Sequence, residues 1–251
     1  RPESAPRLLT NNDQKLELLE STGVDAVVVV PFDTSQAAET PESFVGRVLG
    51  GARNTQVIVG GEDFHCGRHR DGNGDLLRKL GADDDFDVEP LGLIPRADGV
   101  DEPVSSTAIR RALAGGDIAR ANAMLGRPFE ARGDVVTGDQ RGRLLGFPNA
   151  NVEVSKGICL PADGVYAGLY ERPNGDVHPC AINLGRRPTF YEHADSSLLE
   201  AHLLDFEGDL YGEAATVRFA HFLRSERKFD GVDALIAQLA NDVSSARELL
   251  S

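Results

Sequence analysis

The chain has 251 residues, 41% of them apolar and 26% charged, enough for one large domain or two ordinary ones with a sizeable core. An excess of 40 acidic over 26 basic side chains, a formal net charge of −14 spread over both halves, excludes nucleic acid as the main partner. Three cysteines without C-x-x-C spacing (Cys66, Cys159, Cys180) exclude a disulfide framework or zinc knuckle and fit a reducing cytoplasm, and the longest apolar run, Ala26–Pro31, is too short to span a membrane.

From residue 13 the pattern alternates helix and strand. Asn11 or Asn12 caps a helix through Leu16, Leu18 and Leu19 that ends near Gly23. Asp25–Val30 then reads as a strand buried on both faces. Thr40-Pro41-Glu42 starts a helix with Pro in its first turn and Phe44, Val45, Val48 and Leu49 turned inward, followed by a second buried strand at Thr55–Val59. Two parallel strands joined by a helix form a βαβ unit, so the first half reads as a Rossmann-like α/β domain, with ligands expected at the carboxyl ends of the strands. Past Gly126-Arg127-Pro128 short β segments dominate: Gly133–Thr137, Gly164–Tyr170, Val177–Leu184, Leu199–Leu204 and Thr216–Phe222. Turn clusters separate them, which predicts an antiparallel barrel, and Asp230 is placed to cap a closing helix with one apolar stripe through Val232, Leu235, Ile236, Leu239 and Val243.

Four segments carry candidate chemistry. The loop from Gly60 to Gly74 has five glycines, including Gly61 and Gly67, around Asp63, Phe64, Arg68 and Arg70, so backbone amides and guanidinium groups could meet phosphate; a mobile surface loop is the plainer reading. His65 and His69 lie four apart, but these glycines argue against the helix that would pair them on a metal. Ser105, Ser106, Thr107 and Arg110 gather hydroxyls and a guanidinium at a helix start, either as an anion site or as ordinary capping. In Thr137–Asn151 a glycine-rich loop precedes Asn149 and Asn151, which face one side if extended and could offer two amide oxygens to a hard cation; a β-turn is the alternative. Glu200 and His202 share one face of a strand, and a lone strand carboxylate becomes a general base only if a hydroxyl nucleophile is brought to it.

In order along the chain, eight strings together resemble the prokaryotic bifunctional riboflavin kinase/FMN adenylyltransferase, or FAD synthetase, family. They are Val59–Phe64, Val104–Arg110, Leu125–Phe129, Arg141–Asn151, Gly164–Ala167, Asn183–Phe190, Glu200–Phe206 and Leu223–Phe229. The resemblance implies an FMN adenylyltransferase domain over residues 1–126 and a β-barrel riboflavin kinase domain with a C-terminal helix over residues 127–251. It implies that Glu200 is the general base, that Asn151 and Asn149 sit at a Mg²⁺–ATP site, with Asn149 where the family has Thr, and that Gly138, Arg141, Gly142, Gly146 and Pro148 cradle phosphates. Gly164, Tyr166, Pro188, Thr189 and Arg224 would line flavin or nucleotide pockets. In the first domain Gly61, Asp63, Phe64, Gly67, Ser105, Ser106, Thr107 and Arg110 would bind ATP or FMN. The implied small molecules are ATP, riboflavin, FMN and FAD, with no nucleic acid or membrane partner. The family's His-x-Gly-His motif is not among the six histidines. The expectation is therefore a chain lacking the first strand of its adenylyltransferase domain, forming FMN without FAD. A catalytically inactive flavin- or nucleotide-binding module is the alternative.

Overall fold

The computed structural model describes residues 5–49, 55–138, 142, 145–186 and 197–251. Two compact units form: Val24–Val104, and Arg1–Gly23 together with Ser105–Ser251.

In the first, helix α2 (Thr34–Ala37) precedes α3 (Pro41–Phe44), where the Thr40 hydroxyl accepts from Ser43 N–H and Pro41 occupies the first turn as expected; the helix runs on as a π-helical turn, Val45–Leu49. Strand β1 (Val57–Gly61) and strand β2 (Asp87–Leu91) pair in parallel through the crossover helix α4 (Gly74–Asp84). The βαβ unit is therefore real but lies one element further along than the sequence predicts. Asp25–Val30 is not a strand: among the described residues no strand pairs with it, and Val28 and Val29 are 80% and 71% exposed. An apolar run acquires strand structure only from a neighbour that takes its backbone hydrogen bonds. β1 is likewise exposed at alternate positions rather than buried on both faces. Val45, Cys66, Leu77 and Phe86 form the small core of this unit.

The second unit opens with α1 (Asn12–Glu20), held by a capping box in which the Asn11 side chain accepts from Gln14 N–H and the Gln14 side chain accepts from Asn11 N–H. Helices α5 (Ser106–Ala114) and α6 (Ile118–Leu125) follow, then six antiparallel strands closed into a barrel in the order β3-β4-β7-β6-β5-β8. These are β3 (Phe129–Val136), β4 (Ala150–Val154), β5 (Gly164–Glu171), β6 (Val177–Arg186), β7 (Ser197–Leu203) and β8 (Ala214–Arg224). Five match predicted segments; β4 is the strand that the extended reading of Asn149–Asn151 anticipates. Phe129, Val152, Ile182, Leu184, Leu199, Val217 and Phe219 fill the interior, and Leu113, Ile118 and Ala121 add the inner faces of α5 and α6. Asn122 ties α6 to the barrel twice, its amide donating to Phe219 O and accepting from Phe129 N–H. Helix α7 (Val232–Leu250) packs outside β5 and β6, where Ala167, Ala181 and Ala246 allow close approach. It begins at Gly231, with φ 131 and no side-chain cap, so Asp230 is not the cap predicted.

Helix α1 is fastened by charge rather than by its leucines. The buried Gln14 amide donates to Glu130, and Arg132 bridges Glu130 and Glu17 at 2.9 and 2.7 Å. Burial alone would raise the Glu130 carboxyl, but the Gln14 amide and Arg132 outweigh it and hold the group below its ordinary value. A carboxyl whose pKa is lower folded than unfolded stabilises fully above its unfolded pKa of ~4.3 and loses that contribution as pH falls toward the folded value. Glu130→Gln is therefore expected to cost about 1–3 kcal/mol at neutral pH. It should also flatten the fall in unfolding free energy between about pH 5 and pH 3, measured by urea titration; parallel parent and variant curves would remove Glu130 from the acid response.

Candidate active site

Alternation along the strands positions the site. Ala150 and Val152, Leu199 and Ala201, and Ile182 and Leu184 all face the barrel core, so the residues between them project from the opposite face. Those residues are Asn151, Glu200 and Asn183, and the antiparallel register sets Glu200 opposite Asn151 on one side and Asn183 on the other. Asn183 Nδ2 donates to Glu200 Oε2 at 3.1 Å. The row opens into a cleft of about 810 Å³ that Pro148, Asn149, Asn151, Glu200, Arg224 and Gly142 help to line, with Leu235, Leu239 and Val243 of α7 as an apolar wall.

The loop before β4 is built around glycine at two points of close approach. A Cβ on Gly138 would lie 2.5 Å from the Asn151 side chain, and one on Gly142 would lie 2.4 Å from Phe147 O and 3.0 Å from the Asn149 amide. Gly146 takes φ +85, the left-handed turn conformation that glycine adopts without strain. His202, two residues from Glu200 on the same face, shares a 2.9 Å hydrogen bond between Nδ1 and Pro148 O, and its ring meets Phe147 edge-on. Both asparagines are thereby presented on a braced segment, Asn151 only 7% exposed. Amide oxygens are hard donors that suit a divalent cation of the Mg²⁺ class if phosphate oxygens complete its shell. Among the described residues no group of three His, Cys, Asp or Glu side chains could hold a metal.

Cations and carboxylates share the rim, Arg224, Arg227 and Lys228 standing with Glu226 and Asp242. Arg224 ends β8 in a bidentate pair with Asp242 of α7, at 2.9 and 2.7 Å, and Asp242, 5% exposed, also accepts from the Gln238 amide at 2.6 Å. Arg227 donates to Gln238, and its guanidinium lies 4.9 Å from the centre of the Phe229 ring. Lys228 lines the same rim.

Gly164 and Tyr166 stand apart from the cleft lining. A Cβ on Gly164 would meet Arg224 O at 2.8 Å, so glycine there serves β5–β8 contact; Tyr166 is wholly buried against Phe219 and Phe222 and donates to Ala162 O. Burial pushes its hydroxyl up to about 12. Arg141, Pro188 and Thr189 lie outside the described residues. Sequence reasoning missed Asn183, Asp242, Arg227 and Phe229 as cleft residues. An Asn between two apolar residues of a strand was the available signal for Asn183, since Asn is disfavoured in strands; the partnership of Arg224 with Asp242 bridges 18 positions and has no local signature.

The earlier candidates divide between the two units. Gly61 and Phe64 line a depression of about 290 Å³ at the carboxyl end of β1, alongside Asn73 and Arg78. Gly67 has φ +71, and a Cβ there would lie 2.5 Å from Pro41 N, so its glycine is required by packing. Asp63 accepts from His65 Nδ1 through its backbone carbonyl at 2.7 Å. In the barrel unit Ser105 accepts from Ala108 N–H as the N-cap of α5, which satisfies the plainer reading, while Ser106 and Thr107 remain exposed in the first turn. Arg110 donates to Arg7 O at 2.6 Å.

Comparison with known proteins gives the family. A riboflavin kinase family model matches residues 125–250 and an FAD synthetase family model matches residues 1–108. The bifunctional riboflavin kinase/FMN adenylyltransferase of Escherichia coli K12 is 39% identical over 98% of this chain and 77% of its own length. The protein of the same name from Listeria monocytogenes is 36% identical over 96% and 74%. A solved structure described as a macrolide-efflux protein from Streptococcus pneumoniae superposes with a TM-score of 0.84 at 30% identity, covering 95% of this chain and 75% of that one. Among the described residues no helix is long and apolar enough to cross a membrane. With two family models in series across its length and relatives of this identity, the chain belongs to the bifunctional riboflavin kinase/FMN adenylyltransferase family.

Proposed function

We propose that the C-terminal domain, residues 127–251, phosphorylates riboflavin to FMN with ATP, and that the N-terminal domain, residues 1–126, serves the adenylylation of FMN to FAD. The observation that carries the kinase reading is the row of Asn151, Glu200 and Asn183 at the mouth of a glycine-built turn. Glu200 accepts the proton of the ribityl 5′-hydroxyl as that oxygen forms its bond to the γ-phosphorus. The bond from the γ-phosphorus to the β–γ bridging oxygen breaks, ADP departs, and the proton passes from Glu200 to solvent.

Asn149 and Asn151 are the side chains that would hold a divalent cation arriving with ATP, taken as Mg²⁺, which would supply neutralisation of phosphate charge. The turn containing Gly138, Gly142 and Gly146 can approach the phosphates through backbone amides, with Arg141 and Pro148 assigned beside it. The apolar wall of Leu235, Leu239 and Val243 with Phe229 suits the flavin ring system. Of the further pocket residues, Arg224 is retained with Pro188 and Thr189. Retention of both a base candidate and the metal-side amide in one cleft favours catalysis over a bare binding module. Gly61, Asp63, Phe64, Gly67, Ser105, Ser106, Thr107 and Arg110 are assigned to nucleotide and flavin contacts of the adenylyltransferase. Free, buried or half-buried thiols at Cys66, Cys159 and Cys180 support a cytoplasmic setting.

Glu200→Gln is expected to lower riboflavin phosphorylation by about two orders of magnitude or more with ATP binding largely intact, read by chromatography of flavin products alongside nucleotide titration. Turnover equal to the parent would remove Glu200 from the role of base. Gly138→Ala places a methyl group 2.5 Å from the Asn151 amide, so kcat should fall at least about tenfold, with a loss of stability of about 1–3 kcal/mol from the overlap. An unaltered kcat would remove the close approach of Gly138 from the mechanism.

A further inference from the structure

We propose that Asn183 is a positioning residue for phosphoryl transfer, holding one oxygen of the Glu200 carboxylate so that the other faces the incoming hydroxyl. The inference rests on the reading of Glu200 as the base.

Three features point to this role. Asn183 is directly opposite Glu200 in the β6–β7 register, and its Nδ2 lies 3.1 Å from Glu200 Oε2. Directly opposed side chains are neighbours by virtue of the backbone, without a long flexible linkage. The strand beneath is immobile in the relevant sense, because Ile182 and Leu184 on either side are wholly buried in the barrel core and Gly185 is buried after them. Finally, Asn is a poor strand former, so packing gives no reason to prefer it over a β-branched residue at this place.

The chemistry of the donor matters as much as its position. An ionised carboxylate only accepts, so the amide must turn its nitrogen toward Glu200. A neutral donor orients the carboxylate without placing a full positive charge against it, as a Lys or Arg would; a base tied into an ion pair accepts a proton less readily. On its other side Glu200 is paired in register with Asn151, whose amide is packed against Gly138. The base therefore stands between one amide assigned to the metal and one assigned to its own orientation.

The test is steady-state kinetics of riboflavin phosphorylation by the full chain carrying Asn183→Leu, Asn183→Ala or Asn183→Gln, each alone, with Asn183→Leu also combined with Glu200→Gln. Leu has nearly the shape of Asn without its donor, Ala removes the donor without setting a second carboxylate beside Glu200, and Gln keeps an amide donor on a longer stem. The expected result is a kcat roughly 10- to 100-fold lower for Leu and Ala, KM values for riboflavin and ATP within about threefold of the parent, and a kcat within about fivefold of the parent for Gln. In the Glu200→Gln background Asn183→Leu should cause no further loss beyond about twofold, because the group it positions is already gone. A parent-like kcat in the Leu and Ala variants would overturn the proposal, as would a loss confined to KM or one that multiplies undiminished in the double variant. A fully active Glu200→Gln protein would overturn the base assignment and this inference with it, so the two failures are told apart by the single variants.

Discussion

Everything proposed for the kinase cleft depends on the register of β4, β7 and β6. With side chains alternating at every residue, a slip of one position would carry Glu200 into an apolar barrel and turn Leu199 outward. Burial of Val152, Leu199, Ile182 and Leu184 on one face therefore fixes what the other face displays. A carboxylate in the core would have to be neutralised or paired, whereas on the outer face it stands half-buried with an amide donor. The same burial that stabilises the barrel specifies the polar row, so fold and site are two consequences of one pairing.

In a −14 chain the cleft is locally balanced in charge, Arg224, Arg227 and Lys228 lining it together with Glu200, Glu226 and Asp242. Arg224, Arg227 and Lys228 stand at the rim of one cleft, and Arg224 is held in place by Asp242 of α7. That pair also joins the last strand to the closing helix, so the helix forming the apolar wall is fastened by a residue of the cleft. Gly138 and Gly142 let the chain lie directly against Asn151, Phe147 and Asn149, where a side chain would collide. Such sites act over a few ångströms, where fixed donors count for more than the distant surplus of carboxylates.

Much of this was legible in the sequence, and the failures have physical causes. Alternating β segments separated by turn clusters identified five of the six barrel strands; the sixth, β4, begins at Ala150, where the spacing of Asn149 and Asn151 alone leaves an extended segment and a β-turn both open. Asp25–Val30 failed because an apolar run shows readiness to pair but not the presence of a partner. The βαβ unit was displaced because β2 contains Glu89 and Pro90 and is mostly exposed, leaving little hydrophobic pattern to read. Tyr166 and Gly164 belong to conspicuous motif positions, yet one fills the core and the other permits two strands to approach. Glu200 was found from its motif, whereas the significance of Asn183 comes from a strand pairing 17 positions away.

The central claim is that this cleft moves a phosphoryl group rather than merely holding a flavin or a nucleotide. Its most direct measurement is the fate of label when the chain is incubated with riboflavin, a divalent cation and ATP labelled in the γ-phosphate. The account predicts label in a flavin that co-elutes with FMN, in step with ADP release. Tight binding of riboflavin and ATP with no label entering the flavin would contradict it and leave the barrel as a binding module.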